Sequence, residues 1–419
     1  MTLRIGCVAD DFTGGTDVAA AFRRAGLRTA LVFGVPDDAT TPPAGCDAAV
    51  VALKSRSAPA GRAVADSLAA HHWLRARGAG QTYVKYCSTF DSTPEGNIGP
   101  VADALTGAAG AAVTLHCPAS PPNGRTVYQG HLFVHDRLLS ESPLRHHPLN
   151  PMTDSALVRL LSAQTAHRVA LLGWATVRRG ADAVRAALDA LGRDGVRHVI
   201  ADALTDDDLA VLGRAARHLP VVAGAAGLAE GLGRTHPPGA TACEGRLPAG
   251  RAAVLAGSCS ARTLEQIAHF RAAGLPALRL DVLAAAAGHD TLGEALAWYD
   301  GQDPAAPVLI HASAPPEELA AIHDRLGATA SAAAAEELLG ALAAHLTARG
   351  VRRLLVAGGE TSGAVTTALG VRSVLVHGET DPGVPWTSTT TPAGEPLALM
   401  LKSGNFGAPD LFTRALRVG

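Results

Sequence analysis

Two adjacent carboxylates, Asp10 and Asp11, stand between an apolar run and the small-residue stretch Thr13-Gly14-Gly15-Thr16. Far along the chain, Gly358-Gly359-Glu360-Thr361-Ser362-Gly363 occupies the same kind of junction with glycines and hydroxyls. A carboxylate at the C-terminal edge of a strand accepts hydrogen bonds from vicinal hydroxyls and can take a proton from an attacking alcohol. A glycine-bearing strand-to-helix turn leaves helix-start N–H groups for phosphate. Together they suggest phosphoryl transfer to a sugar-like alcohol. The competing reading of the acidic pair is helix capping by Asp11 or Asp17, a common use of Asp at a helix start.

Further polar blocks follow apolar runs. In the first half these are Lys54-Ser55-Arg56-Ser57, the Lys85–Thr93 segment with Ser88 and Thr89, then Gly96-Asn97-Ile98-Gly99 and Asn123-Gly124-Arg125. Cations here suit a substrate carboxylate, with Arg favoured for a two-pronged grip. In the second half, Gly257-Ser258-Cys259-Ser260 and Lys402-Ser403-Gly404-Asn405-Phe406-Gly407 are two more glycine-bearing loops. None has Walker A spacing, and no GxGxxG follows the first strand, so neither a P-loop nor a dinucleotide fold is supported. His71-His72 and His146-His147 are neighbours whose side chains diverge, which suits chelation poorly, and no HExxH occurs. No metal-ligating cluster is expected, although His131, His146 or His147 are in reach of substrate contacts.

Elements must carry these loops to one place. Strand-like runs at Arg4–Val8, Thr29–Phe33, Ala48–Leu53, Thr82–Tyr86 and Ala111–Cys117 alternate with helix-like runs such as Asp17–Ala25 and Gly61–Arg77. Val169–Leu172, Val199–Ala203 and Val221–Ala223 continue the rhythm around helices at Ala181–Arg193 and Asp207–His218. The stretch Arg234–Gly250, rich in Pro and Gly, breaks it. Alternation resumes with strands at Ala252–Ala256, Val308–His311, Arg353–Ala357 and Ser373–His377, a helix at Arg262–Ala273 and a long Ala-rich helix ending near Arg349. The expected fold is α/β with two domains, 1–235 and 250–419, each a largely parallel sheet flanked by helices, with the site in the cleft between them. Residues 13–16 are expected to form the turn before the first helix.

The chain has 419 residues, 47% of them hydrophobic and 18% charged, enough for two large cores. With 36 Lys plus Arg against 38 Asp plus Glu and a formal charge of -2, nucleic acid is not an expected partner. The six cysteines show no CxxC spacing and read as free thiols in a reducing compartment. Residues 1–9 lack a signal-peptide core and no run is long enough to cross a bilayer. A soluble cytoplasmic protein without a membrane partner is expected.

Seven segments carry a resemblance: ADDFTGGTD (9–17), KSRS (54–57), KYCSTFDSTPEGNIGP (85–100), NGRTVYQGHLF (123–133), GSCS (257–260), GGETSG (358–363) and KSGNFG (402–407). The chain resembles the four-carbon acid sugar kinase family nearly end to end. KYCSTFDST and HHPLNPMTDS (146–155) are similar to its 3-oxo-tetronate kinase branch. The resemblance implies an N-terminal domain for the acid sugar, a C-terminal domain for ATP, Mg2+ bridging the phosphates, and transfer of the γ-phosphoryl group to the 4-hydroxyl. It places Ser258, Gly358, Gly359, Glu360, Thr361, Ser362 and Gly404 on the nucleotide. Asp10, Asp11, Asp17, Arg56, Lys85, Ser88, Thr89, Asn123 and Arg125 fall on the substrate side, with Asp10 or Asp11 as base. A homodimer is compatible with it. Gly15, where the family usually has Ala, is expected to matter little in a turn.

Overall fold

The computed structural model describes residues 3–146, 150–237, 247–391 and 393–416. The core of the segment read as a linker (238–246), His147 and part of the 146–155 segment lie outside the described residues. The chain divides into two compact units, Met1–Ala242 and Cys243–Gly419.

In the first unit the strands are β1 (Ile5–Ala9), β2 (Thr29–Phe33), β3 (Ala48–Ala52), β4 (Gln81–Lys85), β5 (Thr114–Cys117), β6 (Arg125–Tyr128), β7 (His131–Val134), β8 (Arg137–Leu138), β9 (Arg168–Leu172), β10 (Val196–Ala201) and β11 (Val221–Gly224). Eight of them form a parallel sheet in the order β2-β3-β1-β4-β11-β5-β10-β9. All five residues of β1 are buried, as are those of β3 and β4, because helices cover both faces of such a sheet. A small antiparallel sheet, β6-β7-β8, sits apart from it. Buried Asp202, just after β10, anchors that sheet's β6–β7 turn by accepting the N–H groups of Gln129 at 2.8 Å and Gly130 at 2.9 Å.

The second unit carries β12 (Arg251–Ala256), β13 (Ala277–Arg279), β14 (Val308–His311), β15 (Val351–Ala357), β16 (Ser373–Asp381), β17 (Val384–Thr390) and β18 (Pro396–Lys402). Its order is β13-β14-β12-β15-β18-β17-β16, parallel as far as β18 and antiparallel from β18 to β16. Val254, Phe270, Leu355, Trp386, Met400 and Phe412 belong to one of its core clusters. The Ala-rich run is one helix, Ala328–Ala348, burying Leu338, Leu339, Leu342 and Leu346.

One expectation fails at the first helix, which begins at Phe12. Asp11 is its N-cap, accepting the Gly14 N–H at 2.7 Å, so residues 13–16 are its opening turns and not a turn ahead of it. Thr-Gly-Gly-Thr has weak helix propensity and shows no apolar face, which hid the start. Gly15 is consequential as well. A Cβ there would stand 2.5 Å from Ala52 Cβ, because the helix lies directly on β3.

Candidate functional site

Register brings the acidic and cationic loops of the first unit to one sheet edge. Ala9, the last residue of β1, pairs with Ala52 of β3 on one side and Lys85 of β4 on the other. The chain leaving β1 therefore sets Asp10 and Asp11 between the loop carrying Arg56 and the side chain of Lys85. Backbone bonds tighten this: Ser55 and Arg56 N–H groups donate to Asp10 O at 3.0 and 3.2 Å, and Asp10 N–H donates to Lys85 O at 3.1 Å.

Arg56 meets Asp10 with both prongs, Nε to Oδ2 at 2.8 Å and Nη2 to Oδ1 at 2.9 Å. The same Nη2 lies 2.9 Å from Asp11 Oδ1. Burial alone would lower the Arg56 pKa, but Asp10 and then Asp11 hold the guanidinium charged, above its ordinary value. Asp11 behaves differently. Burial first and the Asp10 charge second push its carboxyl up, against the pull of Arg56, Lys85 and the Gly14 N–H. Lys85 is only 3% exposed, with Nζ donating to Tyr86 O at 3.0 Å and 3.9 Å from Asp17 Oδ2. A Cβ on Gly14 would stand 2.3 Å from Asp11 Oδ1 and 3.0 Å from Lys85 Nζ, so the bare backbone there makes room for the charges.

The segment after β4 shapes the floor. Phe90 is buried in the left-handed region, with φ 52, a cost that a non-glycine residue bears only where its surroundings fix it. Asn97 clamps the Arg56 loop from below: its Nδ2 donates to Ser55 O at 2.7 Å and Ala58 O at 2.8 Å. Thr89 Oγ1 lies 2.9 Å from Cys87 Sγ, with Ser88 half-buried beside it. Asn123 and Arg125 bond locally: Asn123 Nδ2 donates to Ser120 Oγ at 3.0 Å, and Arg125 Nη1 to Asn123 O. They follow β5, three strands from β1, or about 14 Å at ordinary strand spacing. His131 bonds to Gln129 O in the same hairpin.

The second unit makes its cluster from backbone. Ala357 at the end of β15 pairs with Ala256 of β12 and Lys402 of β18, so all three glycine loops leave neighbouring strands at one level. Gly257 and Ser258 N–H groups donate to Ala357 O at 3.1 and 3.2 Å, and Gly358 N–H donates to Lys402 O at 2.9 Å. Contact is close enough to exclude side chains. A Cβ at Gly404 would sit 2.3 Å from Ser258 Oγ, and one at Gly358, where φ is 131, would sit 2.8 Å from Thr361 Oγ1 and 3.2 Å from Ser258 N. The helix Gly359–Ala368 starts there with no side-chain cap. Gly359 and Glu360 are exposed at its first turn, while Thr361 and Ser362 are buried. An uncapped helix start beside glycine backbone is fitted to phosphate oxygens.

Lys402 and Asn97, which the sequence reading named within their loops without a role of their own, and Thr263, which it did not name, are structural partners of these loops. Lys402 is 2% exposed and donates to Thr263 Oγ1 at 3.1 Å and Gly404 O at 3.0 Å; burial drops its pKa to about 7. Its place as the first residue of the KSGNFG loop was the available signal. Among the described residues no group of three or more His, Cys, Asp or Glu is gathered to hold a metal ion. Nor is any described helix long and apolar enough to cross a membrane.

Comparison with known proteins agrees with this division. A sugar-binding N-terminal domain family matches residues 5–232 and a nucleotide-binding C-terminal domain family matches 253–412. A 3-oxo-tetronate kinase of Burkholderia multivorans is 52% identical over 99% of this chain and 96% of its own length. Another, of Cupriavidus necator, is 50% identical with coverage of 99% and 96%. A Salmonella typhimurium LT2 crystal structure, solved under a provisional tRNA synthase description, superposes with TM-score 0.91 at 46% identity, covering 99% of both chains. A Haemophilus influenzae structure gives 0.86 at 38% identity, with coverage of 98% and 99%.

Proposed function

Because this chain belongs to the four-carbon acid sugar kinase family, we propose that it transfers the γ-phosphoryl group of ATP to the 4-hydroxyl of 3-oxo-tetronate, giving 3-oxo-tetronate 4-phosphate. The observation that carries the substrate is the 52% and 50% identity, over 99% of this chain, to relatives of that activity. Geometry supports the division of labour, with the acid sugar on residues 1–235 and the nucleotide on 250–419.

On the substrate side we assign Asp11 as the base. Both Asp10 oxygens are taken by Arg56, whereas Asp11 carries the raised pKa that moves a carboxylate toward useful basicity. As the 4-oxygen bonds to phosphorus, the bond to the bridging oxygen of ADP breaks and the hydroxyl proton passes to Asp11. Arg56 orients both aspartates and keeps its Nη1 side for the substrate carboxylate, and Lys85 adds buried positive charge. Asp17, Ser88, Thr89, Asn123 and Arg125 complete the proposed substrate set.

Ser258, Gly358, Gly359, Glu360, Thr361, Ser362 and Gly404 would receive the nucleotide. Mg2+ would arrive on its phosphates, neutralising charge there, since this ion commonly keeps waters and takes few protein ligands. Positioning and charge neutralisation then supply most of the rate. The test is coupled ADP release by the purified protein with 3-oxo-tetronate, D-threonate, L-threonate and D-erythronate. The highest kcat/KM is expected for 3-oxo-tetronate. Preference for a 3-hydroxy acid would move the substrate, and no ADP release with any acid would overturn the kinase reading.

A further inference from the structure

The second unit has an open cleft of about 480 Å³ at the carboxyl end of β13, within the roughly 300–1,000 Å³ usual for small-molecule sites. One wall is the chain leaving β13, where Leu280 and Val282 are buried. The other is the helix Pro316–Leu326, which brings Glu318, Ala321, Ile322 and Arg325 to the cleft. That spacing puts all four on one helical face. No residue of this helix is buried, so the face lines open space instead of packing against protein. Arg279 spans the two walls, with Nη2 2.5 Å from Glu318 Oε2.

Register sets this cleft in line with the glycine loops. Arg279 at the end of β13 pairs with His311 of β14, His311 with Ala256 of β12, and Ala256 with Ala357 of β15. The cleft therefore opens at the same sheet edge, two strands or about 10 Å from the start of the Gly257–Ser260 loop. The segment leading into the wall helix is tied to that loop: Ala312 N–H donates to Ala256 O at 2.8 Å and Ala314 N–H to Cys259 Sγ at 3.4 Å. Where an open α/β sheet holds phosphate at one strand-to-helix turn, an acidic side chain after the next strand in sequence can bond the ribose hydroxyls. Here the next strand after β12 is β13, and Asp281 follows it. Asp281 Oδ1 accepts the Ala284 N–H at 3.0 Å, which leaves Oδ2 for a ligand.

We propose that this cleft takes the adenosine end of ATP, with the base against Leu280, Val282 and Ile322 and Asp281 accepting from the ribose hydroxyls; this rests on the nucleotide reading above. The chemistry follows from what each part of the ligand needs. A purine presents flat apolar faces, which the aliphatic floor covers, and Arg325, with no ion pair among the described residues, stacks over the open side. Ribose hydroxyls donate, and the Asp281 carboxylate accepts. Phosphates carry no mark of the base, so the glycine loops hold the triphosphate while this cleft reads the nucleoside.

Calorimetry compares ATP, 2′,3′-dideoxy-ATP and inorganic tripolyphosphate, with Mg2+ and without acid sugar, on wild type, Ala321→Trp and Asp281→Asn. Ala321 is exposed on its helix, so tryptophan fills the cleft without entering a core, and the melting temperature should stay near wild type. In Ala321→Trp, ATP affinity should fall roughly 10- to 100-fold, the weight of one buried apolar group, with tripolyphosphate affinity unchanged. Asp281→Asn keeps a helix cap. Its ATP affinity should fall about tenfold, as for one hydrogen bond to a charged group, with dideoxy-ATP unaffected. Undiminished ATP affinity in Ala321→Trp, or equal losses for ATP and tripolyphosphate, would overturn the assignment. Equal losses for ATP and dideoxy-ATP in Asp281→Asn would take the ribose away from Asp281. Wild type that binds neither ATP nor tripolyphosphate would sink the nucleotide reading itself. Because binding is read without turnover, the predicted split in a protein that releases no ADP with any acid would sink the kinase reading and leave this one standing.

Discussion

The two clusters solve opposite problems. In the first unit, side chains do the holding: Arg56, Lys85, Asp10, Asp11 and Asp17 converge, and glycine appears at Gly14 to leave them room. In the second, backbone does it, with Gly257, Gly358 and Gly404 so close to Ser258 and Thr361 that no side chain fits. A small, stereochemically defined acid needs directed bonds from fixed side chains. A triphosphate presents many oxygens, which an uncapped helix start approached closely by glycine backbone can meet without directed side chains. Perturbation should therefore act through charge and base strength in one unit and through backbone shape in the other.

The largest effect should come from Asp11→Asn. Asn still caps a helix, so the fold should hold, while loss of the base should lower kcat about 100- to 10,000-fold. Stopped-time ADP assays with a parallel melting curve check this. The pH profile sharpens it: with Asp11 raised by burial and by the Asp10 charge, kcat/KM should fall on the acid side at a pH above the ordinary Asp value of 3.8. Asp10→Asn removes a like charge and should move that acid limb to lower pH; a limb that stays in place would take the base role away from Asp11.

Next in size is Gly358→Ala, which forces a side chain at φ 131 against Thr361 and Ser258. Strain of about 1–3 kcal/mol predicts a loss of ATP affinity of roughly 10- to 100-fold, read by calorimetry. Arg56→Lys keeps the charge but not the fork, and the KM for acid sugar should rise about tenfold with that for ATP unchanged.

A subtler effect belongs to Lys402, a buried charged side chain within the backbone-built cluster. Burial penalises the ammonium, with Arg262 adding to the effect, and drops its folded pKa from the ordinary lysine value of 10.5 to about 7. The unfolded chain thus binds more protons between those values, and stability from this group should rise with pH across that window. Triphosphate charge nearby should draw the proton back. Calorimetry near pH 7.5 in buffers of different ionisation enthalpy should show proton uptake on ATP binding, absent in Lys402→Met; identical uptake in both would place the titrating group elsewhere. The smallest kinetic effect should be that of Gly15→Ala, whose Cβ meets Ala52 at 2.5 Å. Overpacking of about 1–3 kcal/mol should lower the melting temperature with little change in kcat.

Much of this was legible before the fold. Thr29–Phe33, Ala181–Arg193 and Val308–His311 are read from pattern with the same bounds the structure gives, since buried parallel strands and amphipathic helices announce themselves. The polar loops were recognisable because each follows such a strand. What stayed hidden lacks an apolar signature. The helix start at Phe12 runs through Thr-Gly-Gly-Thr, and β17, Val384–Thr390, ends in the run Thr-Ser-Thr-Thr. The clamp by Asn97 and the tie by Lys402 depend on partners 39 to 42 and 139 residues away, which no local pattern reports. Gly15 was misread for the same reason: its significance is the distance to Ala52 on another strand.

The claim that one cluster grips by side-chain charge and the other by backbone shape is tested most directly by a two-by-two titration. Arg56→Lys and Gly358→Ala are each titrated by calorimetry with 3-oxo-tetronate and with a non-hydrolysable ATP analogue. The expected result is a crossed pattern, in which Arg56→Lys loses acid-sugar affinity alone and Gly358→Ala loses nucleotide affinity alone. Losses that fall on the same ligand in both variants, or the reverse pairing, would contradict it.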